Sequence, residues 1–571
     1  MPTTNGSRTP TIDDDPALGL SQRAKMEVLF AVLLGLFLGA LDQTIVGPAL
    51  PTIVTQLAGN DIYVWAVTIY LLTSTISVPF WGKLSDLYGR KPMFMIGIII
   101  FLVGSALSGL SQNMTQLIGF RGLQGIGAGS LFPIALAVIG DLFTPAERGK
   151  YQGLFGAVFG IAFIVGPLVG GFLTENIGWH WIFYVNIPVG LISLFFIWRL
   201  LPTVKSARAT RNFDYLGGLI FTIAISMLLI GLTQKGQTDP ITHRLYNWTD
   251  PTVGGLIAAS LVGIALFIWA ESRAKEPIVP LDLFRNRTYA ASMVATFFAA
   301  FAFFGAIIFL PRWFQIVQGF TPTWSGLAAL PLMAGLIISS IGSGLIVART
   351  GRYKWLTIGA IVLMGISTLL MTQLRADTSL LVVWLWMFIS GLGVGPTFSV
   401  FTLIVQNAVP FNLLGVATSN LTFFRQIGGT VALAIVGTIF SSKMLEEIGP
   451  QLTAAGTPQP LVDTFVAGIN AGQVDVQGLT GTGDLGQAIL AGAGPAAPAI
   501  QPFISNIVAG IHQAFSLGVA QTFWIGVGAA VAAVIAAAVM AELPLRSRES
   551  APAAVGATAN EPGRSALPAT D

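Results

Sequence analysis

Fourteen apolar stretches, each about 20 residues long, recur along the 571-residue chain and constrain its fold more than any other feature. A helix of about 20 residues crosses the roughly 30 Å of hydrocarbon in a bilayer. The composition agrees, because 54% of the residues are hydrophobic and only 10% are charged. The sequence therefore predicts an all-α integral membrane protein with fourteen transmembrane helices between about residues 28 and 541.

The distribution of positive charge predicts how these helices are oriented. An even number of spans places both termini on one side, and most of the 29 lysines and arginines fall on that side. The spans themselves contain Arg121 and Arg425, and the opposite side carries only Lys235, Arg244, Arg312, Arg375 and Lys443. Because positive residues concentrate in cytoplasmic loops, we expect both termini in the cytoplasm of a protein of the cell (inner) membrane.

Several classes of function are excluded by what the chain lacks. It contains no cysteine, and its histidines are His180, His243 and His512, which are too scattered to suggest a metal motif. It has no phosphate-binding loop, zinc-protease motif or hydrolase nucleophile elbow. The net charge of +3 is too weak to suggest nucleic acid. We expect no enzyme activity, cofactor, metal or nucleic-acid partner.

Two glycine patterns occur twice at nearly the same separation. The stretches Gly82–Lys91 and Gly344–Tyr353 each follow a span and share the spacing Gly-x6-Gly-Arg. Alternating glycines at Gly125, Gly127 and Gly129 return in a later span at Gly391, Gly393 and Gly395. We infer that spans 1–6 and 9–14 are parallel repeats, with spans 7 and 8 inserted between them at the periphery.

The repeat predicts how the chain is divided. The predicted parts are a disordered tail (1–25), an N-terminal six-helix bundle (26–201), a linker with helices 7 and 8 (202–287), a C-terminal six-helix bundle (288–543) that includes a long external loop (442–515), and a second disordered tail (544–571). Within the external loop, "LVDTFVAGIN" and "PFISNIVAGIHQAF" are candidates for short helices on the membrane surface.

Three motifs give the chain a family resemblance that covers nearly all of its membrane portion. "GKLSDLYGRK" resembles the signature loop of the major facilitator superfamily, "RGLQGIGAG" its fourth-helix motif, and "GIAFIVGPLVGG" the fifth-helix motif of drug/proton antiporters. "LDQTIVGPALP" and "GWHWIFYVNIPVG" further resemble the fourteen-helix drug/proton antiporter branch. The resemblance implies the major facilitator fold, two six-helix bundles plus two extra helices, and multidrug efflux.

Asp42 is the least expected residue of the first span, because a carboxylate at membrane depth is costly. One interpretation makes it a proton carrier or a counter-charge for a cationic drug, facing the central cavity. The other lets it reach external water and serve topology alone.

Arg121 must also find a partner, because its guanidinium cannot lose its charge. The resemblance implies a role in proton coupling, and the alternative is a clamp between helix ends. Gln124 lies on the same helical face and is expected to share the cavity.

The basic loop after the second span has two interpretations. The resemblance implies a conformational latch in which Arg90 pairs with Asp141 while Asp86 approaches a helix N-terminus in the other half. The alternative is a solvated charged turn that anchors the protein by its positive charge. Gly82 and Gly89 fit either interpretation, since both supply tight backbone geometry.

The remaining candidates are motif glycines and polar or aromatic residues within the spans. In the antiporter-motif helix, Gly160, Gly166, Pro167, Gly170 and Gly171 allow close packing and bending, with or without a role in transport. Arg425 and Gln426 either bind a carboxylate or anion in the central cavity or clamp helices. Trp65, Tyr70 and Phe423 are the aromatic candidates for a drug pocket.

Three functions remain open. The leading hypothesis is a monomeric, proton-coupled secondary transporter that exports hydrophobic, often cationic, small molecules across the lipid bilayer by alternating access. The second is export of a lipid or amphiphilic metabolite, with the external segment as a guide surface. The third, a membrane-embedded enzyme or sensor, requires a catalytic cluster or a soluble domain, and the sequence shows neither.

Overall fold

A computed structural model describes residues 20–57, 62–203, 213–235, 246–470, 485–494 and 497–545. Across these ranges the secondary structure is helical and contains no strand. Among the described residues, fourteen helices are long and apolar enough to cross a membrane, which confirms the predicted number. Of the predicted disordered tails, residues 1–19 and 546–571 lie outside the described residues. The tail boundary at residue 25 was wrong, because the first helix begins at Gln22.

The described N-terminal part of the chain has seven α-helices, because the sixth span is broken at Val185 into two pieces. They are α1 Gln22–Gln56, α2 Val64–Tyr88, α3 Arg90–Gly109, α4 Met114–Leu142, α5 Pro145–Asn176, α6 Trp181–Tyr184 and α7 Asn186–Leu200. Two more helices follow, α8 Tyr215–Gln234 and α9 Leu256–Glu271.

Where the structure describes it, the C-terminal part contributes ten α-helices, of which α11, α16, α17 and α18 are short. They are α10 Arg287–Ile316, α11 Pro322–Leu327, α12 Leu330–Thr350, α13 Lys354–Met371, α14 Leu380–Ala408, α15 Leu414–Ala454, α16 Gln459–Asn470, α17 Leu485–Ala493, α18 Ala497–Ile500 and α19 Ile504–Val539.

The long helices pack into two bundles with separate cores. In the first bundle α1 packs on α4, α5 and α7, while α3 packs on α4 and α7. In the second, α10 packs on α15 and α19, and α13 packs on α14 and α19. Leu131 and Phe101 belong to the core of the first bundle, and Phe401 and Met364 to that of the second.

The repeated glycines make equivalent contacts in the two bundles. In α4, Gly127 faces α3, since a Cβ there would lie 2.6 Å from the carbonyl oxygen of Gly97, and Gly129 faces α2. In α14, Gly393 faces α13 and Gly395 faces α12, where a Cβ would lie 2.5 Å from the carbonyl oxygen of Leu336. A side chain at these positions would force the helices apart, so the pattern serves the same close packing twice.

The two bundles contact each other at the end that carries the loops Gly82–Lys91 and Gly344–Tyr353, here called the basic end. Ser340 Oγ of α12 donates to the carbonyl oxygen of Gly153 in α5 at 3.1 Å. Gln152 Nε2 donates to Gln406 Oε1 of α14 at 2.7 Å, and Gln406 Nε2 donates to the carbonyl oxygen of Leu136 at 3.0 Å. Buried side-chain amides therefore join α4 and α5 to α14.

Helices α8 and α9 lie alongside the bundles. The Phe221 ring of α8 packs on Phe423 of α15 with centroids 5.2 Å apart, and on Phe80 of α2 at 6.0 Å. Helix α9 packs on α8 and is the least buried of the fourteen spans. Helices α8 and α9 thus cover the outer side of the contact between α2 and α15.

The segment between α9 and α10 is anchored to α2 by an ion pair. Lys83 Nζ lies 2.7 Å from Glu276 Oε2, and Lys83 is only 1% exposed. The Glu271 carboxylate accepts from the backbone N–H groups of Ile278 and Val279 at 3.0 and 3.1 Å. The linker that enters the second bundle is therefore fixed to the first bundle at the basic end.

Glu276→Gln should lower the thermal unfolding temperature of the detergent-purified protein. It leaves the buried Lys83 ammonium without a carboxylate, and such a loss costs about 1–3 kcal/mol. Scanning fluorimetry measures the effect. Lys83→Met combined with Glu276→Gln removes the stranded charge and should recover most of the loss. Equal unfolding temperatures for Glu276→Gln and the unaltered protein would contradict this role for the pair.

Residues 442–515, predicted as a long external loop with two candidate surface helices, are largely helical where the structure describes them. Helix α15 continues to Ala454 and α19 begins at Ile504, while α16 contains the sequence "LVDTFVAGIN". The candidate surface helix "PFISNIVAGIHQAF" falls mostly in α19 rather than forming a separate element.

The helical extension is explained by buried residues at a spacing of four. In α15 these are Phe440, Met444, Ile448 and Leu452. Gly510 of α19 packs against this stripe, since a Cβ there would lie 2.8 Å from Cα of Leu452. Packing of α15 against α19 therefore stabilises helical structure in a region whose glycine- and alanine-rich sequence indicated a loop.

Candidate functional site

Asp42 is fully buried in the first bundle and bound by three side chains. Its Oδ2 lies 2.8 Å from Arg121 Nη1, and its Oδ1 accepts from Gln124 Nε2 and Asn186 Nδ2, both at 2.8 Å. Helices α1, α4 and α7 thus converge on one carboxylate. Because Asp42 is 0% exposed, it does not reach external water in this conformation. In this conformation it is also enclosed within the bundle rather than facing a central cavity.

The guanidinium of Arg121 is held on several sides. Nη1 also donates to Gln124 Oε1 at 2.9 Å, and Nε donates to the carbonyl oxygen of Ala66 at 3.4 Å. The Arg121 guanidinium carbon lies 3.9 Å from the centre of the Tyr70 ring, a cation–π contact. The charges of Asp42 and Arg121 therefore compensate each other in a site closed by an aromatic ring.

Ser105 and Asn186 complete the cluster and were missed from the sequence. Asn186 Nδ2 also approaches Ser105 Oγ at 3.1 Å, and Ser105 Oγ donates to the carbonyl oxygen of Phe183 at 2.9 Å. Asn186 begins α7 where the sixth span is broken. A lone amide in the apolar stretch "FYVNIPVG" was the available signal. Polar side chains from α1, α3, α4 and α7 therefore meet at this cluster.

The loop after α2 forms an ionic cluster at the basic end. Arg90 Nε lies 2.9 Å from Asp141 Oδ2, and Arg90 Nη1 lies 2.5 Å from Asp86 Oδ1. Asp86 also accepts from the backbone N–H groups of Gly415 and Val416 at 3.1 and 2.8 Å. These amides begin α15, where the helix dipole favours negative charge. The cluster spans both bundles and is largely buried, so the solvated-turn interpretation does not describe this conformation.

Glycines make this contact between bundles sterically possible. A Cβ at Gly415 would lie 2.6 Å from Asp86 Oδ1, and one at Gly82 would lie 2.8 Å from the carbonyl oxygen of Gly415. Gly89 has φ of 98°, which L side chains rarely adopt. The backbone of α2 therefore approaches α15 only because these positions lack side chains.

The antiporter-motif helix α5 contacts both bundles. On one side Gly170 faces Ile45, and Thr44 Oγ1 donates to the carbonyl oxygen of Ala162 at 3.0 Å. A Cβ at Gly166 would collide with the Thr44 side chain.

On the other side of α5, the contacts reach the second bundle. A Cβ at Gly160 would lie 2.6 Å from Ile337 of α12, and one at Gly171 would lie 3.2 Å from Thr323 of α11. A Cβ at Gly326 would lie 3.1 Å from Pro167. Helix α5 therefore links the residues that follow Asp42 to the second bundle.

The other sequence candidates lie apart from Asp42. Arg425 donates from Nη2 to the carbonyl oxygen of Thr397 at 3.0 Å and lies over the Phe398 ring at 4.4 Å. Phe423 packs on α8, as described above, and Trp65 is half-buried in the first turn of α2. The Oε1 atom of Gln426 is buried and has no hydrogen-bond partner among the described residues. Of the three aromatic candidates, only Tyr70 touches the Asp42–Arg121 pair.

Comparison with known proteins identifies the family. The model of the Major Facilitator Superfamily matches residues 32–433, most of the chain. The chain belongs to the major facilitator superfamily. The Multidrug transporter protein MdtP of Bacillus subtilis (strain 168) is 39% identical over 465 residues, which cover 81% of this chain and 83% of that protein. Multidrug resistance protein 3 of the same organism is 36% identical, with 75% and 83% covered.

Solved structures agree with this major facilitator fold. The proton:xylose symporter XylE matches with a TM-score of 0.55 at 13% identity, covering 75% of this chain and 91% of that one. At this identity the likeness concerns the fold alone. As a major facilitator with fourteen apolar helices, the protein is a multi-pass membrane transporter rather than an enzyme. Within the described residues no group of acidic or histidine side chains could hold a metal ion.

Proposed function

We propose that this transporter exports hydrophobic, often cationic, drugs in exchange for protons. The observation that carries the proposal is the buried Asp42–Arg121 pair, with its three hydrogen-bonded donors inside the first bundle. Two Bacillus subtilis relatives that match most of this chain are named for multidrug transport or resistance. We further propose a monomer in the cell membrane with both termini in the cytoplasm, following the positive charge at the basic end.

The geometry around Asp42 supports the proposed proton coupling. A carboxylate accepts hydrogen bonds at both oxygens, whereas a protonated carboxyl is neutral, donates from one oxygen and binds the same three donors less strongly. Protonation of Asp42 would therefore loosen Arg121, Gln124 and Asn186 together. A cationic drug that replaced the proton would restore the negative charge facing Arg121. Proton and drug thus compete for one carboxylate.

The change at Asp42 would reach the second bundle through α5. Thr44 lies half a turn beyond Asp42 and contacts α5, whose glycines contact α11 and α12. At the basic end, Asp86 bound to the first turn of α15 favours the conformation closed there. In the proposed alternating access, reorganisation of the Asp42 cluster releases this latch.

The membrane potential acting on one proton supplies sufficient energy to export an uncharged drug molecule. One proton moving inward across roughly 150 mV provides about 3.5 kcal/mol, since each 100 mV is worth about 2.3 kcal/mol per charge. Because about 1.4 kcal/mol corresponds to a factor of ten, one proton for each uncharged drug molecule allows accumulation of several hundred-fold.

Ethidium should produce a proton signal in vesicles reconstituted with the full chain. Vesicles carry an internal pH dye, and the rate of pH change is measured on adding ethidium, with protein-free vesicles as the control. We expect a saturable signal that requires the protein. Ethidium movement without proton movement would contradict the coupling, and the absence of both would contradict drug export.

Lipid export is the second candidate, because α15 and α19 are longer than a membrane crossing requires. At about 1.5 Å per residue, α15 is about 60 Å long, roughly twice the hydrocarbon thickness. Its extension packs on α19 through Leu452 and Gly510. The same vesicles loaded with a fluorescent phospholipid distinguish the candidates: gradient-driven lipid movement without an ethidium signal would favour lipid export.

A further inference from the structure

An aromatic cluster joins the two bundles at a depth different from that of Asp42. The Phe159 ring of α5 lies between Phe132 of α4, at 4.8 Å, and Phe398 of α14, at 5.2 Å. Phe303 of α10 packs on the far side of Phe398 at 5.7 Å. Rings from both bundles therefore form one continuous contact across the interface between them.

The cluster lies near the middle of the membrane. Phe132 and Phe398 each lie about 15 Å from the end of their helix at the basic end, taking a rise of about 1.5 Å per residue. Arg425 lies about 16 Å from the start of α15 by the same measure. Asp42 is about 30 Å from the start of α1, so it lies nearer the opposite end. The two sites are thus separated in depth.

The internal repeat places a guanidinium where the first bundle has a ring. Aligning the glycine patterns of α4 and α14 pairs Phe132 with Phe398. The same offset in residue number pairs Phe159 of α5 with Arg425 of α15. The contacts follow the equivalence: Phe159 packs on Phe132, and the Arg425 guanidinium lies 4.4 Å from the centre of the Phe398 ring. The second bundle therefore replaces one aromatic residue of the cluster with a permanent positive charge.

Arg425 is not compensated by a carboxylate. Among the described residues no Asp or Glu oxygen lies within 4.0 Å of its guanidinium, in contrast to Arg121 and Arg90. A guanidinium has five N–H donors, and the Thr397 carbonyl accepts from one of its nitrogens. Arg425 is also only partly buried. Because Asp42 and Arg121 neutralise each other, the interior of the spans retains the positive charge of Arg425.

We propose that Arg425 and the Phe132–Phe159–Phe398 rings form a subsite for the anionic group of an aromatic amphiphile, such as an aryl carboxylate or sulfonate. The planar guanidinium binds the oxygens of the anion with paired hydrogen bonds. The rings bind the aromatic body, and a low dielectric strengthens the ion pair. This inference rests on the proposed export function and extends its substrates from cationic drugs to amphiphilic anions, which bind at a site separate from Asp42.

Binding is tested with two pyrene probes that differ at one end, 1-pyrenebutyrate and 1-pyrenebutanol. Energy transfer from the tryptophans of the purified full chain reports binding, with protein-free micelles as the blank. The wild-type protein should bind the butyrate at least about tenfold more tightly than the alcohol. Equal affinities of the wild-type protein for the two probes would overturn the proposal without any variant.

Arg425→Gln should remove this preference. We expect the affinity for pyrenebutyrate to fall at least about tenfold, while the affinity for pyrenebutanol is unchanged. Arg425→Lys keeps the charge but loses the planar fork, so an intermediate affinity for the butyrate is expected. Arg349→Gln removes one exposed positive charge elsewhere and should change neither affinity. A parallel loss for both probes in Arg425→Gln would indicate a structural clamp and overturn the subsite.

The ethidium assay on the same preparations separates the two proposals. A normal ethidium-driven proton signal together with no preference for the butyrate would contradict the anion subsite alone. Absence of the ethidium signal would contradict the proposed export function, whatever the pyrene affinities are.

Discussion

Asp42→Asn should reduce proton-driven ethidium export to the level of protein-free vesicles. The asparagine has nearly the same size but does not titrate between its acid and base forms. It also presents an N–H₂ group to a site where Arg121, Gln124 and Asn186 all donate hydrogen bonds to the carboxylate. The substitution therefore removes both the carboxylate that binds the proton and the negative charge that compensates Arg121. Transport is measured in reconstituted vesicles under an imposed pH gradient.

Loss of folding must be separated from loss of coupling in this experiment. An unpaired buried guanidinium costs about 3–5 kcal/mol when its partner is removed. Asp42→Asn combined with Arg121→Gln removes both charges and should unfold at a higher temperature than Asp42→Asn alone, but should remain uncoupled. Proton-driven ethidium export by either variant at the wild-type rate would show that Asp42 is not the coupling group and would direct attention to Arg425.

Arg90→Ala should lower the export rate at least about tenfold while the protein is still produced and inserted. Arg90 bridges Asp86 and Asp141, and Asp86 is bound to the first turn of α15. Removing the bridge destabilises the conformation closed at the basic end, and a shift of about 1–3 kcal/mol changes populations by about 5–150-fold. The initial rate of ethidium export, normalised to the amount of protein, is the measurement.

Two further variants show whether the latch or the loop charge is responsible. Lys91→Ala removes the neighbouring positive charge, for which no ion pair is found among the described residues, and should leave export nearly unchanged. Gly415→Ala leaves every charge in place but puts a methyl group against Asp86 and Arg90. It should resemble Arg90→Ala. Wild-type export by both Arg90→Ala and Gly415→Ala would remove the latch from the mechanism.

The number of spans and the family were predictable from the sequence because both depend on local patterns. Apolar stretches long enough to cross the bilayer give fourteen helices whatever their neighbours are, since lipid requires a helical backbone. The loop Gly82–Lys91 and the glycines of α4 and α14 are short motifs that carry the family resemblance. Asp42 was conspicuous for a similar reason, because a lone carboxylate in an apolar span requires a partner.

The partners themselves were decided by tertiary structure. Arg121, Asn186 and Ser105 come from three other helices, and no spacing in the sequence relates them to Asp42. The same limit applies to Phe423, whose contact with Phe221 of α8 has no signal in the sequence.

The external segment shows the same division between local pattern and long-range contact. Its glycines and alanines indicate a loop when considered locally, yet the segment is helical wherever α15 and α19 pack together. The sequence by itself determined which segments enter the membrane, because transfer of apolar side chains into lipid depends on the segment alone. Only the tertiary structure decided which polar groups meet, because a buried charge is stabilised by contacts between helices distant in the chain.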